Sequence, residues 1–482
     1  MPKSKKSWKE SQRARQAKQQ SAEEARQMQQ EQNSKKKSRS LPKGKILLAI
    51  SLILLVLGVY AAIQLAATPA VPTTFIPVHI RADGSVDPAN ASISTVATNQ
   101  YAFTADFYGS IVIERDNVVL DGANHVLHGK GESGSIAIDL TGRSNVTVRN
   151  LVLRDFGYGF FLYSASGNVI YQNDMAESYF GVELRSSANN TVSWNKIADC
   201  GGAIGLSNSS GNSLLRNNLA RNTYSISLAN SSYNSVSDNT VENSDGAIGL
   251  SASPNNIVSG NRLSNNQACI EVSESSDNVI SGNIVTDNNE AIGVSTSSGN
   301  NVKGNSLEDN VYGIRLTSSS NNSVSGNTVR NSSYAIGLSE SGRNNVTQNN
   351  LAESNYGVYL DDSSNNDVSG NAVVSGSFGI SLQQSGTNFV TGNYLGSNEY
   401  GMYITYSSEN IILRNSFEFN NYQVLNLESS NLWDGGEATG GNYWSDFQTR
   451  YPDAEELVGT GSWNTPYVID DSNQDNYPLV SG

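Results

Sequence analysis

The chain has 482 residues, a formal net charge of −14 and only two cysteines among 43 glycines. So few cysteines exclude a disulfide-built scaffold, and the acidic balance argues against nucleic acid as a partner, since phosphate backbones are gripped by net positive charge.

The charge is not evenly spread. Residues 1–45 hold 14 Lys and Arg against 4 Glu, whereas the rest of the chain holds 17 against 41 Asp and Glu. The basic stretch is rich in Gln and Lys with almost no aliphatics, which predicts a disordered or loosely helical tail. Residues 46–67, ILLAISLILLVLGVYAAIQLAA, carry no charge over 22 residues, enough to cross a hydrocarbon core of roughly 30 Å as a helix. The run is too long for a cleaved signal peptide. The positive-inside rule then predicts a single-pass signal anchor in the cell membrane, with a cytoplasmic N-terminus that touches anionic headgroups and everything after residue 67 outside.

Residues 68–109 read as a linker and N-terminal cap, and 110–430 as one repeat. An Asn recurs every 22 residues at Asn173, Asn195, Asn217, Asn239, Asn261, Asn283, Asn305, Asn327, Asn349, Asn371, Asn393 and Asn415. A second Asn row runs five residues earlier, from Asn168 to Asn410, and a Ser row runs from Ser187 to Ser407. A fixed period means one unit stacked on copies of itself.

Four apolar rows accompany the polar ones. One contains Val236, Val258 and Ile280, another runs from Met175 to Phe417, and two lie two residues apart, as in Ile204 and Leu206. Spacing of two puts both side chains on one face of a strand. The Ser, Asn and Gly between them show no helical period, and the Leu-dense arm of a leucine-rich repeat is missing. An all-β, right-handed parallel β-helix with 22-residue coils remains, the hand following the general connection rule. Asn suits such a stack because its amide both donates and accepts along the axis, and because it tolerates the left-handed backbone of sharp corners. At about 4.8 Å per coil, thirteen or so coils make a rod of roughly 65 Å. Open sheet ends pair with other chains unless covered, so the Trp- and Tyr-rich stretch 431–482 is expected to cap the far end.

The N-V/I-x-G-N coil with its trailing G-I-x-L strand resembles the NosD-type β-helix repeat, part of a wider group of carbohydrate-binding proteins and sugar hydrolases. VHIRADGSVDP (78–88), GRSNVTVRNL (142–151), GGNYWSDF (440–447) and NTPYVIDDSNQDNYPL (464–479) strengthen the likeness and resemble archaeal surface members. The resemblance implies the fold over residues 76–482. For function it implies either copper delivery, the namesake's role in maturing nitrous oxide reductase, or an undefined surface role.

Where relatives often carry an Asp-rich loop, this chain reads YPDAEELVGTGSW (451–463). Asp471, Asn473 and Asp475 have the first three spacings of an EF-hand loop and, with Asp470, are the calcium candidates. Asn476 and Gly482 stand where that loop needs Gly and a bidentate Glu, so a hydrogen-bonded cap is the plainer reading and no cofactor is expected. Copper needs soft or imidazole ligands, and beyond the anchor only His79, His125, His128, Met175, Met402, Cys200 and Cys269 offer them. Both Met fall in core rows, and the two Cys are three coils apart in different rows, beyond disulfide reach.

For sugar cleavage, acids on adjacent coils approach the separation of retaining glycosidases. Glu177 with Asp199, and Asp287 with Asp309, are the candidates, although their row is a turn edge. A polysaccharide lyase would need a clustered Asp, Arg and Lys groove, which no coil shows. Recognition is better supported. Between the two core rows of the long strand lies an outward row containing Arg315, Tyr359 and Tyr403, with Asp361, Gln383 and Thr405 on the same face. Tyrosines with polar neighbours suit the apolar faces and hydroxyl rims of sugars. A further aromatic row, including Tyr312, Tyr334, Tyr356, Phe378 and Tyr400, is expected to be packing. The expected protein is therefore a non-catalytic surface module that binds an envelope polysaccharide or another surface protein, with a polysaccharide lyase or hydrolase as the alternative.

Overall fold

The computed structural model describes residues 75–482. They form a parallel β-helix of about fifteen turns. Residues 1–45, read as a basic tail, and 46–67, read as a membrane span, lie outside the described residues. Among the described residues no helix is long and apolar enough to cross a membrane.

One regular winding shows the plan. Asp174–Ala176 forms a short strand, Phe180–Arg185 a long one and Thr191–Ser193 a second short one, before Lys196–Ala198 begins the next winding. Each strand pairs in parallel with its equivalent 22 residues on, as in Met175 with Ile197, Val182 with Ile204 and Val192 with Leu214. Like side chains therefore stack in vertical files. Val236, Val258 and Ile280 share one file and are fully buried.

The corners follow a single rule. Glu177, Ser186, Asn189 and Trp194 all have φ between 48° and 58°, and each is followed by a buried polar residue, Ser178, Ser187, Asn190 and Asn195. The left-handed residue is thus the one before the ladder Asn, not the Asn itself as the sequence suggested. The division is physical. The left-handed residue aims its side chain outward, while the next one points inward, where its amide meets backbone groups of the adjoining windings. Asn195 Oδ1 accepts both the backbone N–H and the side-chain N–H of Asn173, at 3.0 and 3.1 Å. Asn195 Nδ2 donates to Ile170 O at 2.9 Å and to Asn217 Oδ1 at 3.0 Å. The Ser row repeats this with a hydroxyl, Ser209 Oγ accepting Ser187 N–H at 3.0 Å and donating to Leu184 O at 3.2 Å. A fourth file, mixed in type and not recognised from the sequence, runs through Cys200, Asn222, Ser244 and Asn266.

The first turns are less regular. Ile76–Ile80 pairs in parallel with Gly109 to Ile113 and antiparallel with Val86–Asp87, and Ile93–Ala97 forms a hairpin with Gln100–Phe103. Residues 76–109 thus supply both a first rung and antiparallel cover for it.

At the other end the ladders run past their sequence period. Asn431 and Asn442 receive the N–H groups of Asn410 and Asn415, at 2.9 and 3.0 Å. Asn473 and Asp475 then terminate the two files. Asn473 Oδ1 accepts Asn431 N–H and Trp433 Nε1–H, and Asp475 Oδ2 accepts Asn442 N–H and Trp444 Nε1–H. Trp444 also closes the apolar file, stacking on Phe417 at 4.3 Å and beneath Tyr467 at 4.0 Å.

Two outcomes are expected. Asn305→Ala removes the acceptor of Asn283 N–H and the donor to Ile280 O. Each orphaned buried group costs about 1–3 kcal/mol, so denaturant unfolding should report a loss of roughly 2–5 kcal/mol. Asn321→Gly, at an exposed left-handed corner (φ 56°), should be close to neutral. The second concerns pH. Burial pushes the Asp475 carboxyl up to about 7, against its N–H donors and helped by Asp434. A folded-state value above the unfolded one means that the native state binds the extra proton. The stabilisation is complete below about pH 4 and is lost as pH rises through about 7. Glu183 is raised by burial too. Trp fluorescence, which reads the cap, should therefore show its unfolding midpoint falling over this window, and Asp475→Asn should flatten the fall.

Candidate functional site

Because equivalent residues superpose, an aromatic at the first outward position of the long strand stacks on its neighbours above and below. Tyr312, Tyr334, Tyr356, Phe378, Tyr400 and Tyr422 form a continuous ladder, with centroids 4.8–5.4 Å apart and planes within 17° of parallel. Their faces are spent on one another, so the ladder is a packed ridge on the outside of the rod. Arg315 closes its lower end, its guanidinium 5.2 Å from the Tyr312 centroid.

Three residues along the strand, Tyr359 and Tyr403 lean against this ridge at a different angle. Tyr359 is tilted 60° to Tyr334 and Tyr356, and Tyr403 is tilted 64° and 74° to Phe378 and Tyr400. The ladder thus fixes their orientation without claiming both of their faces. Ser381 lies between them in the file and is buried, which leaves a low step two windings long. Tyr359 Oη donates to Gln383 Oε1 at 3.3 Å. Burial, followed by Asp361, pushes the Tyr359 phenol up to about 12, so it remains a neutral donor and acceptor.

Tyr359, Asp361, Gln383 and Tyr403 lie on one face over three adjacent windings, whereas two other residues read as candidates do not join them. Arg315 forms a two-pronged ion pair with Glu290, at 2.9 and 3.0 Å, two windings from Tyr359. Thr405 is only 8% exposed, flanked in adjacent windings by Gln383 and Leu427, so it cannot serve as a surface contact.

Across the ridge lies a groove of about 700 Å³ that sequence reading did not find. Asn331, Ser333, Asn355, Ser375 and Ser377 form its small floor, with Asp309 and Val311 at one end and Glu399 at the other. The only signal for it is a Ser- and Asn-rich run in two corner rows between residues 331 and 377, interrupted by Glu353.

The acids considered for cleavage, Glu177, Asp199, Asp287 and Asp309, all occupy exposed left-handed corners with φ of 56–61°. Asp199 is held below the usual carboxylate range by hydrogen bonds from Arg221, the opposite of what a general acid requires. Asp309 accepts a hydrogen bond from Asn331 Nδ2.

In the cap, Asp471 is exposed, Asn473 and Asp475 are committed to the ladder ends, and Asp470 accepts Nδ2–H from Asn473 and Asn426. Burial alone would raise the Asp470 carboxyl, but its hydrogen bonds from Asn473, Ser472 and Asn426 hold it below the usual range.

The copper donors do not gather. His79 Nδ1 lies 2.8 Å from Glu114, His125 Nδ1 lies 3.0 Å from Asp106, and His128 stacks on Tyr108. Met175 and Met402 are fully buried. Cys200 and Cys269 are unpaired, and burial pushes their thiols up to about 11 and about 12, far from the thiolates a soft metal selects. Among the described residues no three His, Cys, Asp or Glu side chains are grouped to hold a metal. These residues do not fit a copper centre.

The family described as periplasmic copper-binding protein (NosD) matches residues 90–229, 142–302 and 289–449, and the chain belongs to that family. A search of curated proteins finds no match. Among solved structures, a mutant of DFA-IIIase from Arthrobacter chlorophenolicus A6 in complex with DFA-III is 15% identical with a TM-score of 0.43, covering 51% of this chain and 83% of its own. A mutant of the periplasmic alginate epimerase AlgG is 16% identical, TM-score 0.39, covering 71% and 80%. A mutant tailspike protein of E. coli bacteriophage HK620 with a pentasaccharide is 14% identical, TM-score 0.46, covering 67% and 74%. At such identities the likeness is one of fold.

If the ladder is packing, Tyr356→Ala should cost roughly 1–3 kcal/mol in denaturant unfolding through lost ring contacts. Tyr356→Phe keeps both stacked neighbours and should be close to neutral.

Proposed function

We propose that this member of the NosD family is a membrane-anchored, extracytoplasmic β-helix that holds a linear envelope glycan on its outer tyrosine strip without cleaving it. The observation that carries this reading is the pair Tyr359 and Tyr403, set at a fixed tilt by the ladder and separated by the low step at Ser381. Two windings are roughly 10 Å, a span suited to successive sugars of an extended chain. Pyranose rings present apolar faces to such aromatics and hydroxyl rims to groups like Gln383, Asp361 and the Tyr359 phenol. Preorganisation matters here, because rings already held by packing lose little freedom on binding.

Binding is favoured over hydrolysis or lyase chemistry because the candidate acids, although paired on adjacent windings, all lie on solvated corners. Asp199 is in addition tied up by Arg221. No copper role is proposed, given the scattered donors. The anchor rests on the uncharged run 46–67 and the 14 basic residues before it.

Two measurements test the proposal. Membranes carrying the full chain should retain it through a high-salt wash and release it only to detergent, whereas removal of 46–67 should free it. On a glycan array, the detergent-solubilised chain should bind linear polysaccharide. Tyr359→Ala and Tyr403→Ala should each weaken binding by roughly tenfold, about 1.4 kcal/mol. Release of unsaturated or new reducing-end products would instead establish catalysis.

A further inference from the structure

Asn enters this fold under two different rules, and one of them leaves a chemical motif on the surface. The Asn of the two regular ladders point inward and are followed, two residues on, by a core aliphatic, as Asn190 is by Val192 and Asn195 by Ile197. They cannot begin an Asn-x-Ser/Thr triplet. An outward Asn can, because its successor turns inward and the next residue turns outward again, which brings a hydroxyl to the same side as the amide. Eight such triplets occur in the chain, and the Asn is exposed in all eight.

Five of them share one corner, the turn between the long strand and the second short strand. Asn145, Asn189 and Asn321 occupy one position of that turn and Asn208 and Asn230 another, all left-handed with φ of 50–57°. The middle residues Asn190, Ser209, Ser231 and Asn322 are ladder members. The third residues, Thr147, Thr191, Ser210, Ser232 and Ser323, are partly exposed. The last triplet of the chain begins at Asn345. Beyond it, around Tyr359, Asn355 and Asn365 are outward and exposed too, but Gly357 and Asp367 stand where the hydroxyl would be.

We propose that this corner is an N-glycosylation surface, with glycans on Asn145, Asn189 and Asn321 and on one of the adjacent pair Asn208 and Asn230. The triplet is the acceptor motif of that modification. The co-reactant is an oligosaccharide joined through its anomeric carbon to a lipid-borne phosphate. Asn Nδ2 bonds to that carbon as the carbon–oxygen bond to phosphate breaks. The phosphate leaves with the bonding electrons and the amide gives up one proton, so nothing is oxidised or reduced. One amide N–H remains, which lets Asn145 go on donating to Asn117 Oδ1 at 3.3 Å and Asn321 to Ser320 Oγ at 3.2 Å. Asn208 and Asn230 lie one winding apart, Asn208 N–H bonding to Ala229 O. Two glycans rooted about 4.8 Å apart crowd each other, so the pair carries one. Because the middle residue of each triplet is buried, the amide is reached before its winding stacks. The glycans sheathe one corner and leave the tyrosine strip clear. The assignment rests on the extracytoplasmic placement proposed above.

The full chain purified from its own cells should exceed the 51.6 kDa of its sequence by whole glycan masses, and peptide mapping should find sugar on Asn189. Thr191→Ala, which keeps the Asn and removes the hydroxyl, should lower the mass by one glycan, as should Asn189→Gln. Asn230→Gln should leave the number of glycans unchanged, since Asn208 then carries the one they share; loss of a glycan would overturn that pairing. Sugar on seryl oxygens alone, sugar on Asn90, Asn331 or Asn345 but on no corner Asn, or a glycan count unmoved by Thr191→Ala would overturn the assignment. An amine reagent that cannot cross membranes, applied to intact cells, separates the modification from the placement. If Lys196, 66% exposed, is labelled and the chain carries no sugar, the modification falls and the placement stands. If Lys196 is unlabelled and the chain carries no sugar, both fall.

Discussion

A solenoid that turns sharply several times per winding must hide backbone N–H groups at every corner, where no strand partner is available. In the two Asn files and the Ser file each such N–H is accepted by the side chain of the equivalent residue one winding on, as Asn173 N–H is by Asn195 Oδ1. Left unpaired, such a group would cost about 1–3 kcal/mol, and there are four corners in the winding that runs from Glu177 to Trp194. Apolar files supply the driving force for stacking. The ladders decide which residues may stack on which, because a slip by one residue would strand every amide at once.

The same constraint explains the cap. A ladder in which each member serves its predecessor always leaves one N–H unserved at the end. Asn473 and Asp475 serve the last two, and each also accepts an indole N–H. The alternating acidic and amide residues of the C-terminal hairpin, which look in sequence like the start of a cation loop, are spaced by two because a strand presents alternate residues to one side.

Interior and exterior obey different rules. Inside, Asn, Ser and small aliphatics recur with little latitude. Outside, the left-handed corners accept Trp194, Tyr233, Tyr406 and Phe419 as readily as Gly260, because a side chain there projects away from the packed interior. Functional variety can therefore be written on the outer surface without disturbing the stack. The aromatic ridge, the tyrosine strip and the acidic groove are all outward positions in a run of windings that are internally ordinary.

How much could be read in advance follows from this division. Period, strand directions, the inward files and the outward tyrosines were legible because a repeat converts residue number into position, so that Tyr359 and Tyr403 could be placed on one face from spacing alone. Asn431 and Asn442 were not legible as ladder members, since they lie 21 and 27 residues from Asn410 and Asn415 and so leave the period. Thr405 and Arg315 shared the correct face yet were claimed by neighbours, one covered and the other drawn to Glu290, and the groove beyond the ridge lies over a Ser- and Asn-rich run interrupted by Glu353. Sequence by itself thus determined the winding and its inward and outward faces, since both follow from a local period of strand and corner. Only the tertiary structure decided which outward groups remain available, because availability depends on side chains in other windings and on the cap, and no single period records those.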